Sequence, residues 1–571
     1  MKTVFAFAVL VFSVFSPFPD RGFSTGSDPV AAQIFSLIRQ GQTASAFTCR
    51  KERICGISAI PAFYRHRAYA PAWSLGGTPT PLARDLLSAL AASKDEGLSP
   101  EIYHFSEIHK LFSGFEGPEA KTNAVDPVRL AELDILLTDA FLLYAAHLRA
   151  GRVDPESVHT AWTAFLPEVD LGRVLSEALA TGRIKESLAA LTPSDAGYRR
   201  LKEALVAYRN IAAGTPWPRL PAGPALRPGE TDPRVPLLET LLKFTGDLDT
   251  RTENDPLRYD ASLEEALRRF QVRHGLEADG IVGRRTLSQL NRTPVERIRQ
   301  IELNLERWRW LPHDLGARYI LVNIADFRLD VMEAGPSALD MRAVVGTEYR
   351  KTPVFSETMK YLVLNPYWNV PFSIAVKDKL PLIQKDPSYL VKNGYRVFAG
   401  WEDSAKEVPP ESIDWAKINR SNFIYRLRQD PGPRNALGRI KFMFPNRFSV
   451  YLHDTPQQAL FDKTIRTFSS GCIRVEKPLE LAAYVLQKNP GWTRERIEAT
   501  MAAGEHRTIV LKNPIPVHLL YWTAWVTPDG TIHFRDDIYG RDFLLDRALR
   551  EGPPDSGFPV AGAPLHQTEK K

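Results

Sequence analysis

The residues best placed to do chemistry lie between Phe448 and Glu476, in the run FSVYLHDTPQQALFDKTIRTFSSGCIRVE. Cys472 follows Ser469, Ser470 and Gly471 and precedes Ile473 and Arg474. Small neighbours leave its sulfur approachable, and glycine lets the backbone turn tightly beneath it. A free thiol is mostly protonated at neutral pH, so a nucleophilic role needs a base or a positive field beside it. His453 is the candidate base. The backbone N–H groups of Gly471 and Cys472 are candidates for cradling a tetrahedral oxyanion, with the Tyr451 hydroxyl as a helper. Ser470 and Arg474 would shape the site. Arg474 offers charge to an anionic substrate, or equally one half of a structural ion pair. Each feature alone is weak, because most free cysteines are buried and inert. Their combination carries the reading.

These side chains need elements to hold them. Phe448, Val450 and Leu452 alternate with Ser449, Tyr451 and His453, the pattern of a half-buried strand. Asp454, Thr455 and Pro456 end it with turn chemistry. A histidine at that strand end can fold back beside Cys472.

The run His453 … Ser469-Ser470-Gly471-Cys472-Ile473-Arg474 resembles the signature of the L,D-transpeptidases with a YkuD catalytic domain, most closely their large Gram-negative, YcbB-like branch. The sequence departs from the usual motif twice. Ser470 stands where histidine is common, and Asp454 stands where glycine or serine follows the catalytic histidine. This leaves open whether a backbone carbonyl or the Asp454 carboxylate orients the imidazole. The resemblance implies a peptidoglycan L,D-transpeptidase. Cys472 would attack a tetrapeptide donor stem, D-alanine would leave a thioester, and a second stem's diaminopimelate amine would resolve it into a 3→3 cross-link. It also implies acylation by carbapenem-type inhibitors and an association with other cell-wall enzymes. Two other readings stay open: the same thiol acting as an L,D-carboxypeptidase or D-amino-acid exchanger, and a non-catalytic peptidoglycan-binding scaffold. Papain-like and NlpC/P60 peptidases place cysteine before histidine in the chain, against the order here.

The rest of the chain reads as a multidomain α+β protein: a helical scaffold, a small three-helix module, and a β-rich catalytic domain with an inserted lid. Its 571 residues suffice for three or four domains. A net charge of +6 permits an anionic polymer as partner. No dense Lys/Arg run points to nucleic acid. Residues 1–27 carry Lys2 and an apolar run from Val4 to Phe18, an export leader that places the protein in the periplasm or cell envelope, membrane-anchored if the leader is uncleaved. Of three cysteines, Cys49 and Cys55 can pair in an oxidising compartment, leaving Cys472 as the odd thiol.

Residues 28–213 read as helical, with amphipathic runs at Pro81–Ala92, Arg129–Leu148 and Tyr198–Ile211. Asp134 and Asp139 are expected on solvent-facing helix surfaces. Six prolines, with Gly223 and Gly229, in 214–233 suggest an extended linker. Residues 234–292, with Phe270-Gln271, His274-Gly275-Leu276, Asp279-Gly280 and Leu290-Asn291, resemble a peptidoglycan-binding module. His274 lacks a second ligand at metal-binding spacing, so neither metal nor cofactor is expected. Thr293-Pro294 opens a connecting helix over 293–315. Period-two strands then begin the catalytic domain, 316–550. By resemblance, Trp368 and Asn369 lie beside its cleft, 373–439 forms a substrate-capping insertion, and 514–550 forms a C-terminal hairpin extension around Pro528-Asp529-Gly530. Residues 551–571 read as a disordered tail.

Overall fold

Helix Pro294–Arg309 is the joint on which the other parts meet. Its start has a full capping box: the Glu296 N–H donates to Thr293 Oγ1, Glu296 carboxylate accepts the Thr293 N–H, and Pro294 fills the first helical position. Although the helix is rich in charge, its polar residues Arg297, Gln300, Asn304, Glu306, Arg307 and Arg309 are buried. Each finds partners in a different domain. Glu306 accepts the Val153 N–H at 3.0 Å, and Arg309 donates to the Tyr198 hydroxyl at 3.1 Å, both in the helical domain. Arg297 donates to Gln289 at 2.7 Å in the three-helix module. Asn304 and Arg307 bond Thr523 and Asp542 of the C-terminal extension, at 2.8 and 2.6 Å. Buried charge is tolerated only when paired in this way.

The computed structural model describes residues 28–44, 46–115, 126–158, 162, 169–214, 216–251, 255–335, 337–402 and 404–551. The expected leader and the tail beyond Glu551 lie outside the described residues. Among the described residues, no helix is long and apolar enough to cross a membrane.

The helical domain is built around Pro127–Ala150, which is apolar on almost every face and buried along most of its length. Asp134 and Asp139 do not face solvent: their relative exposures are 1% and 0%. Asp134 accepts the Tyr64 hydroxyl at 2.6 Å and the Ala72 and Trp73 N–H groups at 2.8 and 2.9 Å. Burial still pushes its carboxyl up to about 6. Asp139 takes the Gly56 and Cys55 N–H groups at 2.6 and 3.0 Å and His104 Nε2 at 2.8 Å. Both carboxylates serve as acceptors for loop amides that the helix would otherwise bury unpaired. Cys49 and Cys55 are not bridged. Cys49 pairs with Glu52 across a short hairpin and its sulfur faces the Glu132 carbonyl, whereas the Cys55 sulfur faces the Arg53 carbonyl.

The three-helix module comprises Val235–Phe244, Ala261–Arg273 and Arg284–Leu290 around Leu238, Leu241, Leu267 and Phe270. The proline-rich segment before it is extended but not a free tether. Leu220 and Leu226 are buried in the module's core, Leu226 bridges Val282, and the Trp217 indole donates to the Leu290 carbonyl. His274 is buried, bonds the Phe270 carbonyl at 2.7 Å and stacks on the Phe270 ring. It is structural.

Strands of the catalytic domain are β1 (Arg318–Asn323), β2 (Arg328–Glu333), β3 (Ser337–Gly346) and β4 (Phe355–Leu364). They continue as β5 (Trp368–Asn369), β6 (Tyr395–Ala399), β7 (Lys406–Val408) and β8 (Tyr425–Gln429). The last group is β9 (Ile440–Met443), β10 (Leu452–His453), β11 (Thr467–Ser469), β12 (Ile473–Val475) and β13 (Arg507–Leu520). Nine of these form one sheet in the order β11-β3-β12-β10-β9-β4-β13-β1-β2, and β2 also pairs with β3, so the sheet closes on itself. Its inward residues, such as Ile440, Phe442, Leu452, Ile473 and Val517, are fully buried in the main core. The insertion expected to act as a lid, and so labelled below, is a separate four-stranded sheet, β7-β6-β8-β5, with its own core of Trp368, Val370, Ile383, Val397 and Leu427. It therefore starts at Trp368, a few residues earlier than the sequence pattern suggests. The C-terminal hairpin forms around Asp529, which bonds Thr527 and Thr531.

Candidate active site

The expected strand Phe448–His453 is mostly a loop. Ser449 has φ of +54°, and Asn446 takes the Phe448 and Val450 N–H groups at 3.0 and 3.2 Å. Only Leu452 and His453 pair as a strand. Asn446 thus replaces the missing ladder partner and aims the chain into the sheet.

Register brings the chemistry together. Parallel pairing of β10 with β12 sets Leu452 beside Ile473 and His453 beside Arg474, and antiparallel pairing of β9 with β10 sets Lys441 beside His453. Since side chains alternate along strands, Leu452 and Ile473 point into the core while Lys441, His453 and Arg474 form a row on the opposite face. Tyr451 and Cys472 share that face one step back. The Cys472 thiol is half-buried, and its sulfur lies 4.0 Å from the Ser449 carbonyl oxygen.

The imidazole question is resolved by backbone. His453 Nδ1 meets the Asp454 carbonyl at 2.5 Å. This places the proton on Nδ1 and leaves Nε2 as the acceptor. The Asp454 carboxylate does other work: it takes the Arg439 and Thr455 N–H groups, both at 2.7 Å. Gly438, at φ of +61°, makes room for it; a Cβ there would lie 2.3 Å from the carboxyl carbon.

Burial, then Arg474 and Lys441 beside it, push the His453 imidazole down to about 3. The ring is therefore neutral at physiological pH. Burial raises the Cys472 thiol, and Tyr451, Lys441 and Arg474 oppose that rise. Positive charge at the sulfur thus comes from the two flanking cations rather than from an imidazolium. Lys441 Nζ sits 4.0 Å from the centre of the Tyr451 ring, and the Tyr451 hydroxyl faces both the sulfur and the Trp368 indole. Arg474 donates to the neutral Gln457 at 2.6 Å. No carboxylate pairs with it among the described residues, against the ion-pair alternative.

The cysteine loop is held from below. Thr352 donates to the Gly471 carbonyl and accepts the Gly346 N–H, both at 2.9 Å, and the Tyr539 hydroxyl donates to the Gly346 carbonyl. Gly471 has φ of +114°, a region where a side chain is strained. Its N–H donates to Ser469 Oγ at 3.1 Å, so it is not free for an oxyanion. The Cys472 N–H has no such acceptor among the described residues.

Ser470 accepts Arg350 Nη1 at 2.8 Å, and the same guanidinium grips Asp378 of the lid through two nitrogens, Nη2 at 2.6 Å. The lid and the cysteine loop are thereby fastened together. Asn369 is exposed and accepts Arg426 at 3.3 Å, within the lid itself. Sequence reasoning missed Lys441, Thr352 and Arg350. For Lys441 a signal existed, since Ile440, Phe442 and Phe444 alternate with it, but its neighbours depend on register. A concavity of about 970 Å³ within the lid, beside Tyr395, Arg396 and Arg434, includes none of these residues.

Residues 58–205 match the family described as "Scaffold domain", and 231–290 match the "Putative peptidoglycan binding domain". Residues 317–498, which hold Cys472 and His453, match the YkuD "L,D-transpeptidase catalytic domain". The chain carries a YkuD-type L,D-transpeptidase domain. A Haemophilus influenzae protein named "Putative L,D-transpeptidase" is 37% identical over 249 residues, 44% of this chain and 49% of that protein. The chain thus spans about half the length of this curated relative. Among solved structures, the L,D-transpeptidase of Xylanimonas cellulosilytica aligns at 16% identity over 54% of this chain and 100% of its own, with a TM-score of 0.16. That of Stackebrandtia nassauensis aligns at 13% over 53% and 96%, with a TM-score of 0.19. The L,D-transpeptidase domain and the peptidoglycan-binding domain lie in one chain, joined by helix Pro294–Arg309.

Proposed function

We propose that this chain is a cell-envelope enzyme that joins peptidoglycan stem peptides through a cysteine thioester, forming 3→3 links between diaminopimelate residues. The observation that carries this reading is a half-exposed thiol and a neutral imidazole on one face of the sheet, inside an L,D-transpeptidase domain. In the donor step, His453 Nε2 takes the thiol proton and the Cys472 sulfur bonds to the carbonyl carbon at the L-centre of diaminopimelate. The carbonyl electrons move onto oxygen, opposite the Cys472 N–H. Collapse breaks the C–N bond to D-alanine, whose nitrogen takes the proton back from the imidazolium. An imidazolium between Lys441 and Arg474 is a strong acid, which suits a departing amine. In the second step, the side-chain amine of another stem attacks the thioester carbon and gives its proton to His453, and the sulfur leaves. The peptidoglycan-binding module keeps the enzyme on its polymer, and the same thiol would be acylated by a carbapenem.

The fastened lid favours an amine acceptor over water, because closure expels solvent from the thioester. The test is incubation with purified tetrapeptide sacculi. Cross-linked dimers and released D-alanine are expected from the natural chain and not from Cys472→Ser. Hydrolysed tripeptides without dimers would replace the reading by carboxypeptidase action, and sacculus binding with no product would reduce it to a scaffold.

A further inference from the structure

The Lys441 ammonium has a setting that the thiol–imidazole pair does not explain. It projects from β9 onto the chemical face of the sheet, flanked in register by His453. Its Nζ packs against the Tyr451 ring at 4.0 Å, and no hydrogen-bonding or carboxylate partner for it occurs among the described residues. A half-buried ammonium without an anion is costly, and long cationic side chains ordinarily turn outward to water. Of the two neighbours that can become anions, the Tyr451 phenol is pushed well above its ordinary range by burial, which leaves the Cys472 thiol as the group this ammonium can serve.

We propose that Lys441 is a positioning residue of the reaction: its ammonium supplies charge against which the Cys472 sulfur ionises and steadies the Tyr451 ring beside that sulfur. The inference rests on Cys472 being the reactive thiol, as in the preceding section. Every charged or titratable group facing the sulfur is consistent with it. Arg474, on the same strand, adds a second cation. His453, on β10, is neutral and can only accept a proton. Tyr451 presents a phenol. From the cysteine loop and lid, Ser470 is neutral, and the Arg350 guanidinium is matched by Asp378. Asp454, the nearest acid in sequence, is turned toward the Arg439 and Thr455 amides. The ammonium also explains why a neutral histidine suffices. As the proton passes to Nε2, the negative charge developing on the sulfur is balanced by groups that keep their own protonation throughout.

The test is the pH dependence of Cys472 alkylation by iodoacetamide, followed by peptide mass so that Cys49 and Cys55 are read separately. It uses the full chain and the variants Lys441→Met and Lys441→Arg, with thermal melting as a check on folding. Loss of one neighbouring cation moves a thiol by about one pH unit. Lys441→Met should therefore shift the alkylation midpoint upward by about one unit and slow the reaction about tenfold at a pH below both midpoints. Lys441→Arg should restore most of the rate. An unmoved midpoint in a folded Lys441→Met protein overturns the proposal, as does a slow Lys441→Arg variant, which would assign the residue to packing. A shifted midpoint in a protein that makes no dimers from sacculi would leave this inference standing while the transpeptidase reading fell.

Discussion

Replacing Arg350 by alanine should open the lid without unfolding the sheet. Arg350 donates to both carboxylate oxygens of Asp378 and to Ser470 Oγ, so it ties the lid's first helical turns to the cysteine loop. Side-chain exposures of 29% for Arg350 and 37% for Asp378 keep the pair partly in water. A partly exposed but two-pronged pair contributes about 1 kcal/mol, at the upper end for surface ion pairs. That corresponds to about a fivefold fall in the ratio of closed to open lid. Amide hydrogen exchange over 372–385 should quicken about fivefold in Arg350→Ala and Asp378→Ala, with no change in β4 or β13. The double variant should be no faster than Arg350→Ala alone, because Asp378→Ala then removes a partner whose contact is already lost. Arg350→Lys should recover only part of the protection, since an ammonium cannot make the paired contact. Unchanged exchange in the lid, or additive effects in the double variant, would show that the lid is held by its packing and that the ion pair is incidental.

Two further outcomes follow from the site. Gly438→Ala places a methyl against the Asp454 carboxylate at a backbone angle that disfavours side chains, and should cost about 2 kcal/mol or more, read as a lower denaturant midpoint and lost carbapenem acylation. Acid should weaken the fold partly through His453. Its folded pKa lies near 3, below the ordinary value of 6.5, so the unfolded chain binds a proton that the folded chain refuses. Stability is full above pH 6.5 and falls between 6.5 and 3. His453→Gln should flatten that limb by about 1.4 kcal/mol per pH unit, measured by urea unfolding at pH 4 to 7. An unchanged slope would mean that the buried imidazole is already charged.

Much of the catalytic half was legible because period and turn chemistry act locally. The Cys472 motif, the strand pairs from Tyr319 onward, the Thr293 cap and the Asp529 hairpin all came from residues near each other in sequence. Asp134 and Asp139 were misread because a helix face looks polar until a distant loop covers it. The partners that bury them, at Gly56, Ala72 and Trp73, lie some sixty to eighty positions away. The proline-rich stretch reads as a tether because prolines say how a chain bends, while Leu220 and Leu226 decide where it docks. Within the site, the candidate nucleophile and base could be named from type and spacing. The cation beside them could not, since Lys441 meets His453 only through strand register.

The buried guanidiniums of the Pro294–Arg309 helix make the whole protein a ruler. Sixteen helical residues span about 24 Å, and neither end can swing without stranding an ion in the dry interior. A glycan strand gripped by the three-helix module would therefore present its neighbours to Cys472 at one distance and one tilt. A module grafted in its place would have to offer Arg297 an acceptor where Gln289 now stands, or leave that guanidinium with only Gln300 of its own helix.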